Sequence, residues 1–348
     1  MKNSKKDIRC ITKEELGRFF QDHTRPSFRV QQVWDWLWKH HVLDFNQMTN
    51  ISTVERKLLK KHFLITPLRI HTLKKSNDGT IKFLFVLDKD KIVEGVLIPQ
   101  LNRLTACISS QVGCSLACKF CATGQLKLYR NLTAGEIYDQ VVLINQYSIK
   151  KFKKPITNIV FMGMGEPLLN FKNVLKGIHY ITNSDGMGMS GKRITVSTVG
   201  VVKIIRKIAE LNPNFNLAVS LHSAHEQKRN EIMEINKTNN LTELKGALQY
   251  FYEKTKIKPT FEYVLLKGVN DSQEDARLLM DFCKNIPSKI NLIEYNSVPN
   301  SGYEKSDIKT TDQFLKLLTK NNILVKLRRS RGEDIGAACG QLATQQKL

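Results

Sequence analysis

The sequence predicts an α/β fold: a full or partial βα barrel, entered through a small helical domain and a β-hairpin. Three observations carry this expectation. From about residue 104 onward, short β-type runs alternate with amphipathic helical patterns, the signature of a parallel sheet with crossover helices. Six or more such units with apolar strands favour a barrel over an open doubly wound sheet, although periodicity separates those two poorly. A chain of 348 residues, 41% hydrophobic and 25% charged, holds a large core and is too apolar for wholesale disorder.

Taken in order, residues 30–42 (VQQVWDWLWKHHV) read as a strongly apolar helix and residues 52–64 as another. GTIKFLFVLD (79–88) and KIVEGVLIP (91–99) read as two strands joined by a short charged turn. The barrel strands are then expected at 105–111, 157–163, 193–199, 216–223, 260–266, 291–296 and 324–329. Capping boxes mark helix starts between them: Thr133 with Glu136, Ser272 with Asp275, and Thr310 with Gln313. The expected boundaries are 1–75 for the helical domain, 76–99 for the hairpin linker, 100–333 for the barrel and 334–348 for a C-terminal segment. No internal repeat or low-complexity segment is evident.

No apolar run approaches the ~18 residues needed to span a bilayer, and MKNSKKDIRC is charged with no apolar segment behind it. A cytoplasmic protein without a membrane partner is expected. The formal net charge is +22, from 54 Lys plus Arg against 32 Asp plus Glu. An excess of this size calls for a polyanionic partner, and in the cytoplasm that means nucleic acid. KKFKK (150–154) and KLRRSR (326–331) are candidate phosphate contacts, which would give affinity rather than sequence choice.

Seven cysteines, an odd number in a reducing compartment, point to metal binding or catalysis rather than a disulfide framework. Cys114, Cys118 and Cys121 lie at C-x3-C-x2-C spacing in CSLACKFCATG, on the loop after the first barrel strand, where barrel enzymes keep their active sites. A structural zinc site would want a fourth ligand, and Cys107 on the strand is awkwardly placed for it. A redox pair of Cys118 and Cys121 leaves Cys114 unexplained. A 4Fe–4S cluster on three thiolates would keep one iron open to nitrogen and oxygen donors.

C-x3-C-x2-C opening a βα barrel resembles the radical S-adenosylmethionine (SAM) family. The resemblance implies that family's partial, TIM-like barrel, one 4Fe–4S cluster on Cys114, Cys118 and Cys121, and SAM at the open iron. There the cluster delivers one electron to the sulfonium, releasing methionine and a 5′-deoxyadenosyl radical. Further segments narrow the match. VEGVLIP around Glu94, Cys107 in TACISSQVGC, Gly165–Glu166–Pro167 in FMGMGEPLLN, Ser197 in ITVSTVG, SLH at 220–222 and RGEDIGAACGQL with Cys339 resemble the bacterial methyltransferases of adenine carbon 2 in 23S rRNA and tRNA. The match covers nearly the whole chain and is strongest from residue 94 to 342.

Carbon 2 of adenine is electron-poor and has no lone pair, so it cannot displace a methyl group from SAM as a thiolate can. The resemblance implies a two-SAM route. Cys339 is methylated first, its methyl group is converted to a radical that adds to the ring, and Cys107 attacks the Cys339 sulfur to release product. A transient disulfide remains, needing external reduction. Glu94 matches the family's proton acceptor. Gly165, Glu166, Ser197, Ser220, Leu221, His222 and Asn296 match its SAM contacts, with Glu166 suited to the ammonium. A monomer, with 23S rRNA and tRNA as partners and an electron donor such as flavodoxin or ferredoxin, completes the expectation. Residues 1–75 are the candidate RNA-binding module, and the target adenine is expected to leave its stack.

The chain departs from the family where relatives often carry proline: Glu234, Glu294 and Ser297 stand there. Such changes alter loop stiffness near Asn296 more than chemistry. Three alternatives remain. The sister carbon-8 methyltransferase typically has Ala after the Glu of GE, whereas Pro167 follows Glu166 here. A zinc-stapled RNA-binding protein would not need Cys339. A radical SAM enzyme acting on protein or small molecules would leave the +22 charge unused.

Overall fold

The computed structural model describes residues 5–87 and 91–343. At the N-terminus β1 (Lys6–Asp7) precedes α1 (Lys13–Asp22), α2 (Phe28–Trp38) and α3 (Thr53–His62). The first helix is absent from the sequence expectation, although Thr12 and Glu15 form a reciprocal capping box before it. The helix expected at 52–64 stops at His62, because β2 (Phe63–Leu64) leaves it to pair in parallel with β1.

A ten-stranded sheet follows. Its strands are β3 (Arg69–Lys75), β4 (Ile81–Val86), β5 (Ile92–Gln100), β6 (Arg103–Cys107), β9 (Asn158–Phe161), β10 (Ile194–Thr198), β11 (Asn216–Ser220), β12 (Thr260–Leu265), β13 (Lys289–Glu294) and β14 (Val325–Arg328). The short antiparallel pair β7 (Gln111–Val112) and β8 (Arg130–Asn131) brackets the three-cysteine loop. Spatial order is β14-β13-β12-β11-β10-β9-β6-β5-β4-β3. Strands β6 and β9 to β14 are parallel, and β3 to β6 form an antiparallel meander. All seven expected barrel strands are present. Among the described residues β14 and β3 do not pair, so the barrel is partial, and the hairpin is continuous with its sheet.

Crossover helices cover the outer face: α4 (Ala134–Phe152), α5 (Phe171–Thr182), α6 (Val202–Glu210), α7 (Glu226–Ile232), α8 (Leu241–Thr255), α9 (Gln273–Cys283) and α10 (Ile308–Lys320). The capping boxes at Thr133–Glu136 and Ser272–Asp275 form as expected. That of Thr310 with Gln313 does not. Helix α10 starts earlier, after Asp307, whose carboxylate meets Lys267 at 3.3 Å. One continuous core joins the N-terminal helices to the barrel: Trp38 is fully buried and stacks on Tyr180 at 3.6 Å, while Arg9 reaches the buried Asp139 at 2.7 Å.

The open side is bridged by the segment after β14. Gly332 N–H donates to Asp78, Ser76 Oγ donates to Asp334, and the Arg331 guanidinium donates to Pro99 O, at 2.9, 2.6 and 2.8 Å. Gly332 has φ +71°, and a Cβ there would lie 2.9 Å from Thr80 Cγ2, so this close approach requires glycine. The tail carrying Cys339 is thus fastened to the β3–β4 turn.

Candidate active site

Parallel strands present their carboxyl ends together, so residues distant in sequence meet there. A cavity of about 160 Å³ lies among them. Its lining includes Cys114, Cys118 and Cys121, then Gly165, Glu166, Ser197, Ser220 and His222 from successive strand ends, and Cys339 from the tail. Gly165 has φ +90°, and a Cβ on it would come within 2.4 Å of Gln111, so the loop after β9 can lie this close only as glycine. Glu166 is buried. Its two oxygens accept the N–H groups of Leu168 and Val199, both at 2.9 Å, tying this loop to the end of β10. Burial pushes its carboxyl up to about 7.

Ser197 and Ser220 meet through their hydroxyls at 3.5 Å across β10 and β11. His222 takes a left-handed backbone, φ 56°, and its Nδ1 accepts the N–H of Val264 at 3.0 Å. Burial, then the charge of Arg229, brings its imidazolium down to about 3, so the ring is neutral and carries its proton on Nε2. Leu221 differs from the other residues of SLH. Its side chain is fully buried in the apolar core, and only its backbone belongs to the strand end. Asn296 donates to Cys339 O at 3.1 Å, while its buried Oδ1 has no partner among the described residues.

The remaining candidates line the inner face of the sheet. Cys107 ends β6 opposite Val96 of β5, and Glu94 stands two positions from Val96, so period two puts Glu94 and Cys107 on one face. Glu94 is fully buried rather than the outward partner of a hairpin. Its Oε1 meets Lys82 Nζ at 2.9 Å, and Lys82 also donates to Gly336 O at 2.9 Å, three residues before Cys339. Burial, then the neighbouring Cys339, pushes the Cys107 thiol up to about 12.

Sequence reasoning missed Lys82, Arg229, Glu262 and Arg328. Lys82 alternates with apolar residues in IKFLF and reads as a solvent-facing position. Arg229 is fully buried and ties strand ends together, donating to Leu221 O at 3.0 Å and Val199 O at 2.6 Å. Arg328 belongs to the basic run assigned to phosphates, yet it pairs inward with Glu262 at 3.2 Å. For Lys82 and Glu262 the available signal was a charged residue within an apolar strand pattern; Arg229 lies in the polar helix α7.

The cysteine loop suits a cluster. Burial pushes Cys114 up to about 11 and raises Cys118 and Cys121 as well, so an incoming group must take up the thiolates. Cys114, Cys118 and Cys121 border one cavity together, and three thiolates leave a corner of a cluster open to a further ligand. Glu166 lines the cavity as an acceptor suited to an ammonium, and Asn296, outside the lining but bonded to Cys339 O, keeps an unpartnered Oδ1. The tail is docked on this loop, with Ala122 N–H donating to Gly340 O at 2.7 Å and Thr123 Oγ1 to Leu342 O.

The chain resembles known proteins over nearly its whole length. Residues 108–280 match the Radical SAM superfamily, and residues 6–65 match the ribosomal RNA large subunit methyltransferase N-terminal domain. The probable dual-specificity RNA methyltransferase RlmN of Flavobacterium psychrophilum is 51% identical over 99% of this chain and 100% of its own length. Its counterpart in Cytophaga hutchinsonii is 52% identical over 98% of this chain and 94% of its own. The crystal structure of a radical SAM methyltransferase from Sphaerobacter thermophilus, 35% identical, aligns with a TM-score of 0.90 over 97% of this chain and 99% of that one.

Proposed function

Because the chain belongs to the RlmN family of dual-specificity RNA methyltransferases, within the radical SAM superfamily, we infer that it methylates carbon 2 of an adenosine in the peptidyl transferase centre of 23S rRNA and of an adenosine next to the anticodon in some tRNAs. It is a radical SAM RNA methyltransferase of α/β fold with a 4Fe–4S cluster and SAM as cofactors. The observation that carries the assignment of roles is the position of Cys339, which borders the same cavity as Cys114, Cys118 and Cys121.

Cys114, Cys118 and Cys121 would hold the cluster, and Gly165, Glu166, Ser197, Ser220, His222 and Asn296, with the backbone of Leu221, would hold SAM. Bound there, the two supply one-electron cleavage of a carbon–sulfur bond, which no side chain offers. Glu166 receives the ammonium and replaces the solvent lost on burial. Neutral His222 keeps its orientation through Val264 N–H and adds an N–H donor. Cys339 carries the methyl group between cofactor and base, Glu94 takes up the ring proton, and Cys107 releases the product by attacking the Cys339 sulfur.

The four segments bounded at 75, 99 and 333 would divide the labour, with residues 1–75 and the basic surface holding RNA and residues 334–348 presenting Cys339. No helix among the described residues is long and apolar enough to cross a membrane. A cytoplasmic monomer, reduced by a flavodoxin or ferredoxin, fits the chemistry. The test is anaerobic turnover on protein-free 23S rRNA and on tRNA with methyl-labelled SAM, followed by nucleoside separation. Labelled 2-methyladenosine is expected; 8-methyladenosine alone would move the chain to the sister activity.

A further inference from the structure

Three cationic side chains sit among the strand ends without a place in the reading above: Lys82, Arg229 and Arg328. Arg229 is consumed by backbone carbonyls, and Lys82 by Glu94 and Gly336. Arg328 is different. It ends the last strand, and its Nη1 spans the barrel interior to reach Glu262 Oε2 at 3.2 Å and Met162 Sδ at 3.9 Å. Glu262 is buried and is braced on its other oxygen by Asn291 Nδ2 at 2.8 Å. Both Glu262 and Met162 line the cavity with Cys339, and Met162 lies two residues beyond Val160, the register partner of Cys107, so period two puts Met162 on the same face as Cys107.

We propose that Arg328 is the positioning residue of the sulfur exchange: braced by Glu262 and set against Met162, its guanidinium supplies the fixed positive charge beside which Cys107 reacts as a thiolate with Cys339. This rests on reading those two cysteines as the exchanging pair.

The physical need is plain. A thiol is a poor nucleophile until it loses its proton, and burial holds the Cys107 proton on. The Met162 backbone and then the Arg328 charge counter that effect at Cys107, as cations beside a thiol do. The influence is mutual: burial works against the charge on Arg328, but the fields of Cys339 and then Glu262 outweigh it and keep the guanidinium charged. The contact with Glu262 holds one arm of the guanidinium in place, which limits how far the charge must reorganise during reaction.

In the step itself the Cys107–Cys339 S–S bond forms as the bond from Cys339 sulfur to the RNA-linked methylene breaks. The bonding pair leaves on the methylene carbon, spreads into the electron-poor ring, and is quenched by a proton. The proton given up by Cys107 balances the one gained by the new methyl group. The two sulfurs are oxidised and the methylene carbon is reduced, so no further oxidant enters.

The test uses full-length, cluster-loaded protein with rRNA under anaerobic conditions. Arg328→Met is expected to retain cluster absorbance, deoxyadenosine release and methylation of Cys339, but to accumulate the covalent protein–RNA adduct. Release should slow roughly tenfold for each pKa unit regained by Cys107 and recover as pH rises. Arg328→Lys, which keeps the charge without the fork, should recover part of the rate, and it serves as the reporter should the Met variant not fold. Adduct-free turnover at the normal rate, or weaker RNA binding with no adduct, overturns the proposal. Cys107→Ala is the control: if it fails to trap the adduct, the role of Cys107 itself falls, whereas trapping there but not in Arg328→Met removes only Arg328.

Discussion

At the scale of single residues, the site works by placing ionisable groups where water is scarce. Glu94, Glu166 and Glu262 are all buried, each beside groups that decide what its charge does. Glu166 gives the clearest pH signature. With its carboxyl near 7, in the role proposed for it Glu166 must lose a proton before it can receive the SAM ammonium. SAM affinity should therefore weaken roughly tenfold per pH unit below that value and level off above it. Glu166→Gln should bind weakly with a flat profile; isothermal titration between pH 5.5 and 8.5 would show either. In the unliganded protein the sign for stability is the reverse of a salt-bridged carboxylate. The native state keeps a proton that the unfolded chain has already lost, so stability present at acid pH fades as pH rises from the ordinary carboxylate range through about 7. Lys82 makes a second case. Lys82→Met would break the buried pair with Glu94 and release Gly336 O, costing about 3–5 kcal/mol by the usual penalty for breaking a buried pair. A fall in melting temperature together with loss of RNA methylation, but not of SAM cleavage, is the expected outcome.

At the scale of elements, the decisive piece is the segment after β14. It is fixed at one end to the β3–β4 turn through Asp78 and Asp334, and at the other to the cysteine loop through Gly340. Although burial works against it, hydrogen bonds from Thr80 and Gly332 hold Asp78 down at about 2, so the first clamp stays ionised across the working pH range. A Gly332→Val change meets both a left-handed backbone and Thr80, at a cost on the order of 1–3 kcal/mol. Its effect should be local. Hydrogen exchange should speed up over residues 330–343 and methylated RNA yield should fall, while the barrel strands stay protected; uniform protection would mean that the clamp is unimportant. The basic run KLRRSR also divides at this scale. Arg328 faces Glu262 and Arg331 binds Asp78 and Pro99, while Lys326 and Arg329 remain exposed for a polyanion.

At the scale of the whole molecule, the N-terminal helices are packed into the barrel's own core. Trp38→Ala, which removes a fully buried ring stacked on Tyr180, should cost roughly 3–5 kcal/mol. It should also lower the unfolding midpoint of the barrel; separate transitions for the two parts would contradict a shared core. RNA affinity should fall steeply with salt, as expected for a chain of net charge +22. The sequence alone determined the strand–helix alternation, the capping boxes at Thr133 and Ser272, the three-cysteine loop and the motifs bearing Cys107, Glu166 and Cys339, since each is encoded by residue types at short spacing. It left out α1 and misplaced the start of α10. Only the tertiary structure decided that Glu94 points inward, that Lys82 and Arg328 join the site, and that the tail closes the partial barrel. Those facts depend on which strand ends meet across the sheet and on where a long side chain finds its counter-charge, and neither is written in local spacing.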